Sequence, residues 1–230
     1  GLRQKNRPVP KSLQKILISA QGGVGTAEEH KFLLQYYNLD SIGWGTPFLL
    51  VPEATNVDDQ TLALLSNATE EDLYLSGISP LGVPFNAVKG NSQELDKLEL
   101  DKKGRPGSSC PKKFLTFNTE FAEKVICTAS RQYQKLKLKE LESQIPLEDY
   151  NEKRNKIIEK ECLCIGLANS TKHLHGKDNN IKSEGVSVCP GPNLAYFNKV
   201  LSLKEMVCLL YTSPSPETVL DLVCRLLLEK

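Results

Sequence analysis

No apolar run in this sequence approaches the roughly eighteen residues that a membrane-spanning helix requires, so a membrane-embedded protein is not expected. Charge of one sign is not in excess either: Lys plus Arg number 29, Asp plus Glu 28, a net charge of +1. That balance argues against a basic nucleic-acid footprint or a polybasic membrane-binding face. Aromatic residues make up 7% of the chain, too few for the stacking platforms that hold single-stranded nucleic acid. Histidine occurs three times, never before His30, and the seven cysteines include no C-x-x-C pair. The common paired-cysteine metal templates are therefore missing. No signal peptide is legible at the start. What remains is a chain expected in the cytoplasm, with a small molecule as its partner and neither nucleic acid nor membrane.

The informative stretch begins at Lys15. Ile16, Leu17 and Ile18 form an apolar run without polar alternation, as in a strand buried on both faces of a parallel sheet. Gly22, Gly23 and Gly25 stop the run, and Thr26 with Glu29 forms a capping box that starts a helix. Phe32, Leu33, Tyr36 and Tyr37 recur at helical spacing, Asn38 ends the helix, and a second strand near Ser41 to Gly43 leads into another turn, Gly43-Trp44-Gly45-Thr46. Glycines let a ligand approach the backbone, and amides at a helix start attract phosphate. Two such turns after neighbouring parallel strands could grip one phosphate from two sides. The plainer alternative is that the glycines only make tight turns.

In order and spacing, AQGGVGT followed a helix later by DSIGWGTPFLLVPEA resembles the last two βα units of the flavin-dependent nitronate monooxygenase family. That family includes flavin-dependent enoyl reductases of fatty-acid synthesis. The likeness covers residues 13–92 and runs on through Asn56 to Ser66, Asp72 to Gly77, and Gly82 to Asn91. It implies an α/β fold made of the closing βα units of a (β/α)8 TIM barrel, FMN as cofactor, and oxidoreductase chemistry on a nitronate or an unsaturated acyl thioester. By position, Gly22 and Gly23 would face the FMN phosphate from the first turn, and Gly45 and Thr46 from the second. Gly25, Gly43 and Trp44 belong to the same turns but depart from the family pattern. The family's catalytic histidine stands upstream of strand seven, and no histidine precedes the first turn here, so no catalytic residue is assigned. Two βα units cannot close a barrel. The chain is therefore expected to be the C-terminal fragment of a longer enzyme, inactive alone; the alternative is a complete small α/β protein. A non-redox barrel enzyme using these turns for a substrate phosphate is the competing function.

Residues 1–103 thus read as the barrel part, 104–207 as a mainly helical, cysteine-containing region, and 208–230 as a separate tail. Within the first part, Asp58 to Ala68 has the periodicity of an outer helix, Leu73 to Leu75 reads as a strand, and Glu70, Glu71 and Asp72 read as a solvated helix start. Gly104 to Ser109 reads as a linker or exposed loop. Beyond it, Glu120 to Leu141 and Leu147 to Glu161, separated at Pro146, predict a helical hairpin, and Val186 to Phe197 predicts turns around a strand, a lid or a plug. Cys110, Cys127, Cys162, Cys164 and Cys189 lie in this region, with His173 and His175 close behind the third and fourth. Thiolates suit an iron–sulfur cluster or zinc, whereas free thiols buried as small apolar groups are the alternative in a reducing compartment. The string CLLYTSPSP that opens the tail resembles translated sequencing-adapter read-through; the alternative is a helix, a Ser-Pro turn and a final helix from Glu217 to Glu229.

Overall fold

A computed structural model describes residues 3–8, 15–144, 147–176 and 185–211. The expected break at Pro146 and residues 212–230 of the tail, with the Ser-Pro turn, the final helix and Cys224, fall outside these residues. The fold is mixed α/β. Strands β1 (Ser19–Gln21) and β2 (Ser41–Gly43) pair in parallel across α1 (Ala27–Tyr36), giving the predicted strand–turn–helix–strand unit. Thr26 caps α1 through the expected capping box with Glu29, and Asn38 leaves the helix in the left-handed conformation at φ 51°. A second pair, β3 (Leu73–Ser76) and β4 (Phe85–Val88), is antiparallel, with Leu73 opposite Val88 and Ser76 opposite Phe85.

Each sheet has two strands and no barrel closes among the described residues, so the fold is α/β without establishing a barrel fragment. The apolar run before β1 shows the consequence. Ile16, Leu17 and Ile18 are 81%, 71% and 56% exposed, because burial on both faces needs flanking strands and helices, and among the described residues the strand that follows them pairs only with β2. Strand β1 starts after the run rather than within it. The Asp40 carboxylate fixes the run instead, accepting from the Ile18 amide at 3.0 Å and from Lys15 Nζ at 2.6 Å. On α1, Phe32, Tyr36 and Tyr37 are also exposed and pack on one another, with ring centroids 5.1 Å and 4.8 Å apart for the successive pairs.

The core lies elsewhere, and both halves of the chain build it. Leu50 and Val51, at the end of a 3-10 turn (Thr46–Leu50), pack with Leu62 and Leu65 of α2 (Asp59–Asn67) and Val88 of β4. The other wall comes from far along the chain: Val186, Val188, Leu194, Phe197, Leu201 and Met206, the last on α7 (Leu203–Tyr211). Instead of the strand expected at 186–197, this segment runs extended without a ladder and ends in a 3-10 turn, Pro192–Tyr196. Its two prolines at 190 and 192 cannot donate to a sheet, so its apolar side chains serve the core one by one.

The middle region holds α3 (Ser92–Lys102), then the hairpin of α4 (Arg131–Gln144) and α5 (Leu147–Ile158), then α6 (Leu163–His175). The hairpin is as expected, but α4 begins at Arg131 rather than Glu120. The stretch before it folds on itself through an Asn118–Ile126 bridge, and Glu120 reaches back to accept from Tyr133 Oη at 2.8 Å and Lys137 Nζ at 2.6 Å. Nor is 104–109 a free linker. Gly107, at φ 82°, lies so close to the Arg131 backbone that a Cβ would meet its nitrogen at 2.8 Å. Ser108 bonds Ala129 and Arg131 through the backbone.

One buried polar knot joins the two halves. Asp58 caps α2, accepting from the Thr61 amide at 3.0 Å and hydroxyl at 2.8 Å, and from Ser170 Oγ of α6 at 2.7 Å. Burial pushes its carboxyl up, yet the bonds from Ser170 and Thr61 outweigh that and hold it below the usual carboxylate range. A lowered folded pKa contributes stability above the unfolded value of about 3.9, lost as pH falls through the folded value. Asp58→Ala is expected to cost about 2 kcal/mol at neutral pH, the sum of a lost cap and an unmatched hydroxyl. In urea denaturation the gap between variant and wild type should narrow toward about pH 3; a gap unchanged with pH would rule out an ionised Asp58 as its source.

Candidate functional site

The two glycine turns face one another across a cavity of about 270 Å3. Gly22, Gly23, Gly43, Trp44, Gly45 and Thr46 all line it, joined by Gln21, Val24 and Asn193. Parallel pairing of β1 with β2 sets this arrangement: Gln21 lies opposite Gly43, so both strands release their turns at the same end. Gly22 and Gly23 have φ of 99° and 71°, and no atom lies within 4 Å of where a Cβ would stand on either. Gly45 is likewise open. At these three positions the exposed backbone lines the cavity with no other group standing over it.

The other turn residues have different work. Gly25 does not line the cavity; a Cβ there would come within 2.2 Å of the Tyr196 ring and 3.1 Å of Asn193, so its lack of a side chain serves packing. Gly43 makes room for the Gln21 side chain. Trp44 gives its indole N–H to His30 Nδ1 at 2.8 Å, with the rings 5.9 Å apart and 28° from parallel. His30 must therefore carry its proton on Nε2 when neutral.

The start of α1 departs from expectation in one respect. Glu29 Oε2 accepts from the Gly25 amide at 2.8 Å and the Thr26 amide at 3.1 Å. The capping box thus satisfies the helix start with its own carboxylate, and a ligand anion would meet the turn at Gly22 to Val24 rather than the helix terminus.

Asn193 is the residue that sequence reasoning missed. It is 4% exposed, donates from Nδ2 to the Val24 carbonyl at 2.7 Å, and its Oδ1 is buried without a hydrogen-bond partner. Two residues earlier, the Gly191 amide donates to Thr46 Oγ1 at 2.9 Å. One segment therefore holds both turns. The available signal was the Cys-Pro-Gly-Pro-Asn string, a rigid turn with a short amide side chain after it, but nothing in its spacing to residues 24 and 46 points to them.

Four of the five candidate metal-ligating cysteines converge. Cys110 and Cys127 pack in one buried cluster with Ala129, and Cys162 caps α6 with Cys164 two residues on. Burial pushes the Cys127 thiol up to about 12, and the nearby Cys110, Cys162 and Cys164 push the same way. Burial also raises Cys162, and the nearby Ser108 hydroxyl only partly opposes it. Cys189 stands apart and exposed, and the five are free thiols. Among the described residues no group of three His, Cys, Asp or Glu side chains is arranged to hold a metal ion. His173 and His175 lie at the far end of α6 from Cys162 and Cys164. The carboxylates of residues 70–72 form a 3-10 turn in which Asp72 caps Thr69, as expected of a helix start. No helix among the described residues is long and apolar enough to cross a membrane.

No protein-family model matches the chain, and no curated protein matches it. Among solved structures it is similar to the enoyl reductase domain of MlnA from the macrolactin biosynthesis cluster of Bacillus amyloliquefaciens, at 17% identity and a TM-score of 0.42. The alignment covers 99% of this chain and 52% of that one, so the chain spans about half the length of that structure. A likeness this distant assigns neither a cofactor nor a reaction.

Gly25→Ala tests the packing role given to that glycine. The variant is expected to lose about 1–3 kcal/mol, the range of overpacking, and to recover most of it in a Tyr196→Ala background. Chemical denaturation of the single and double variants reads the coupling; independent, additive effects would refute the contact.

Proposed function

We propose that this chain holds the phosphate end of FMN in an oxidoreductase resembling the nitronate monooxygenases, with the two glycine turns as the cradle. The observation that supports it is the shared cavity. Gly22, Gly23 and Gly45 leave their backbone open on its wall, and Thr46, next to Gly45, lines it too. Because Thr46 Oγ1 already accepts from Gly191, its own proton is free to donate to a phosphate oxygen. Asn193 Oδ1, buried and unmatched, offers an acceptor for a hydroxyl or a protonated phosphate oxygen.

Bound there, FMN would supply the hydride or electron transfer. The residues of this chain bind and orient it: the turn amides take the anionic end, Asn193 fixes the first turn through Val24, and Gly191 fixes the second through Thr46. No described residue is assigned to proton transfer.

Titration of the protein with FMN, followed by quenching of flavin fluorescence, tests this reading. FMN is expected to bind at least about tenfold more tightly than riboflavin, which lacks the phosphate, a difference of about 1.4 kcal/mol or more. Inorganic phosphate should compete. Gly45→Glu, which places a carboxylate in the cavity, should abolish the preference. Equal affinity for riboflavin and FMN, or no flavin binding, would refute the proposal.

A further inference from the structure

A second cavity, of about 480 Å3, opens where α3, the turn at Gly107, the start of α4 and residues 160–165 meet. It shares no residue with the glycine-turn cavity. Its volume falls in the range of about 300–1,000 Å3 usual for small-molecule sites.

Much of the charge on its wall is already matched. Lys97 Nζ stands 2.7 Å from Glu161 Oε1, Lys103 pairs with Glu99, and Lys160 donates to the Gly77 carbonyl. Arg131 Nη2 donates to the Gly107 carbonyl at 3.3 Å. Four residues of the lining carry an unmatched atom: Gln93 Oε1, Glu161 Oε2, Arg131 Nε and Ser108 Oγ are buried without a hydrogen-bond partner. Gln93 and Glu161 are only 5% and 3% exposed. The neighbouring Ser187 hydroxyl lowers the Glu161 carboxyl a little but falls outside hydrogen-bond geometry. Burial outweighs both it and the Lys97 ammonium, so the carboxyl sits above its usual range.

Buried polar atoms of a folded protein are normally bonded, and unmatched ones call for an explanation. The four here are of three kinds. Two are acceptors, one of them on a carboxylate; one is a cationic donor, with the exposed guanidinium of Arg105 also in the lining; and the Ser108 hydroxyl can donate or accept. A simple anion would satisfy Arg131 but stand against Glu161, and a simple cation would do the reverse.

We propose that this cavity binds a small zwitterion of the amino-acid class. Its ammonium group donates to Glu161 Oε2 and Gln93 Oε1, and its carboxylate accepts from Arg131 Nε, with Arg105 closing over the charge from the rim.

Isothermal titration calorimetry of the full chain tests this, using glycine, glutamine, glutamate and arginine as probes and acetate and methylammonium as half-molecules. At least one amino acid is expected to bind at a single site, with both half-molecules at least about tenfold weaker. Glu161→Gln should weaken that amino acid by about tenfold or more, the effect of one charge-assisted hydrogen bond. Arg105→Ala removes an exposed side chain and leaves the fold intact; it should weaken binding by a smaller factor, and it decides the matter if Glu161→Gln does not fold. Three outcomes would overturn the proposal: no heat with any amino acid, acetate binding as tightly as the amino acid, or wild-type affinity in the folded variants.

Discussion

The hydrogen bond from Asn193 to the Val24 carbonyl is the contact on which the glycine-turn site depends. Two strands of three residues each cannot by themselves hold the loops that follow them, because a two-stranded sheet has few ladder bonds and two free edges. The turn at Gly22 and Gly23 gains no support from its own glycines, which have no side chains to pack. Support comes instead from a segment 169 residues further along the chain, through an amide that reaches one turn and a backbone N–H that reaches the other. Placing both contacts within three residues fixes the separation of the two turns as well as the position of each.

That segment can act as a brace because it is anchored in turn. Leu194, fully buried immediately after the two contacts, and Met206 further along sit in the same core as Leu50 and Leu65. Leu50 ends the 3-10 turn that Thr46 begins, so the core and the second glycine turn share one rigid piece of backbone. The Leu201 amide bonds the Leu50 carbonyl at 3.0 Å, closing the link. On the opposite side, Asp58 and Ser170 tie α2 to α6. Hydrophobic burial supplies the bulk of the cohesion there, and these few polar contacts fix which surfaces meet.

Local signals in the sequence were read well and distant ones poorly. The capping box at Thr26 and Glu29, the end of the helix at Asn38 and the parallel return at Ser41 depend on residues within a few positions of each other, and all were legible. So was the meeting of the two glycine turns, since a βα unit sets the spacing between neighbouring strands. The exposure of Ile16 to Ile18 was not legible, because an apolar run reports what a strand would bury and says nothing of what lies beside it. The start of α4 was misplaced for a similar reason: Glu120 has helical neighbours in sequence but finds its partners, Tyr133 and Lys137, by folding back. Asn193 was invisible because its role is to bond a backbone carbonyl, and any carbonyl in the chain would look the same from the sequence. The cysteines could be grouped by region, but which of them meet was not legible: Cys110, Cys127, Cys162 and Cys164 come together from separate segments while Cys189 stays exposed.

The exposure of Ile16 to Ile18 has a colloidal consequence. It sets bare aliphatic surface immediately before a strand, β1, whose other edge has no neighbour among the described residues, a combination that templates the addition of further strands. A net charge of +1 gives copies of the chain almost no long-range repulsion to keep such edges apart. Ionic strength will therefore do little to govern how the molecule behaves when crowded. Its tendency to associate is set by whether something apolar already covers that run.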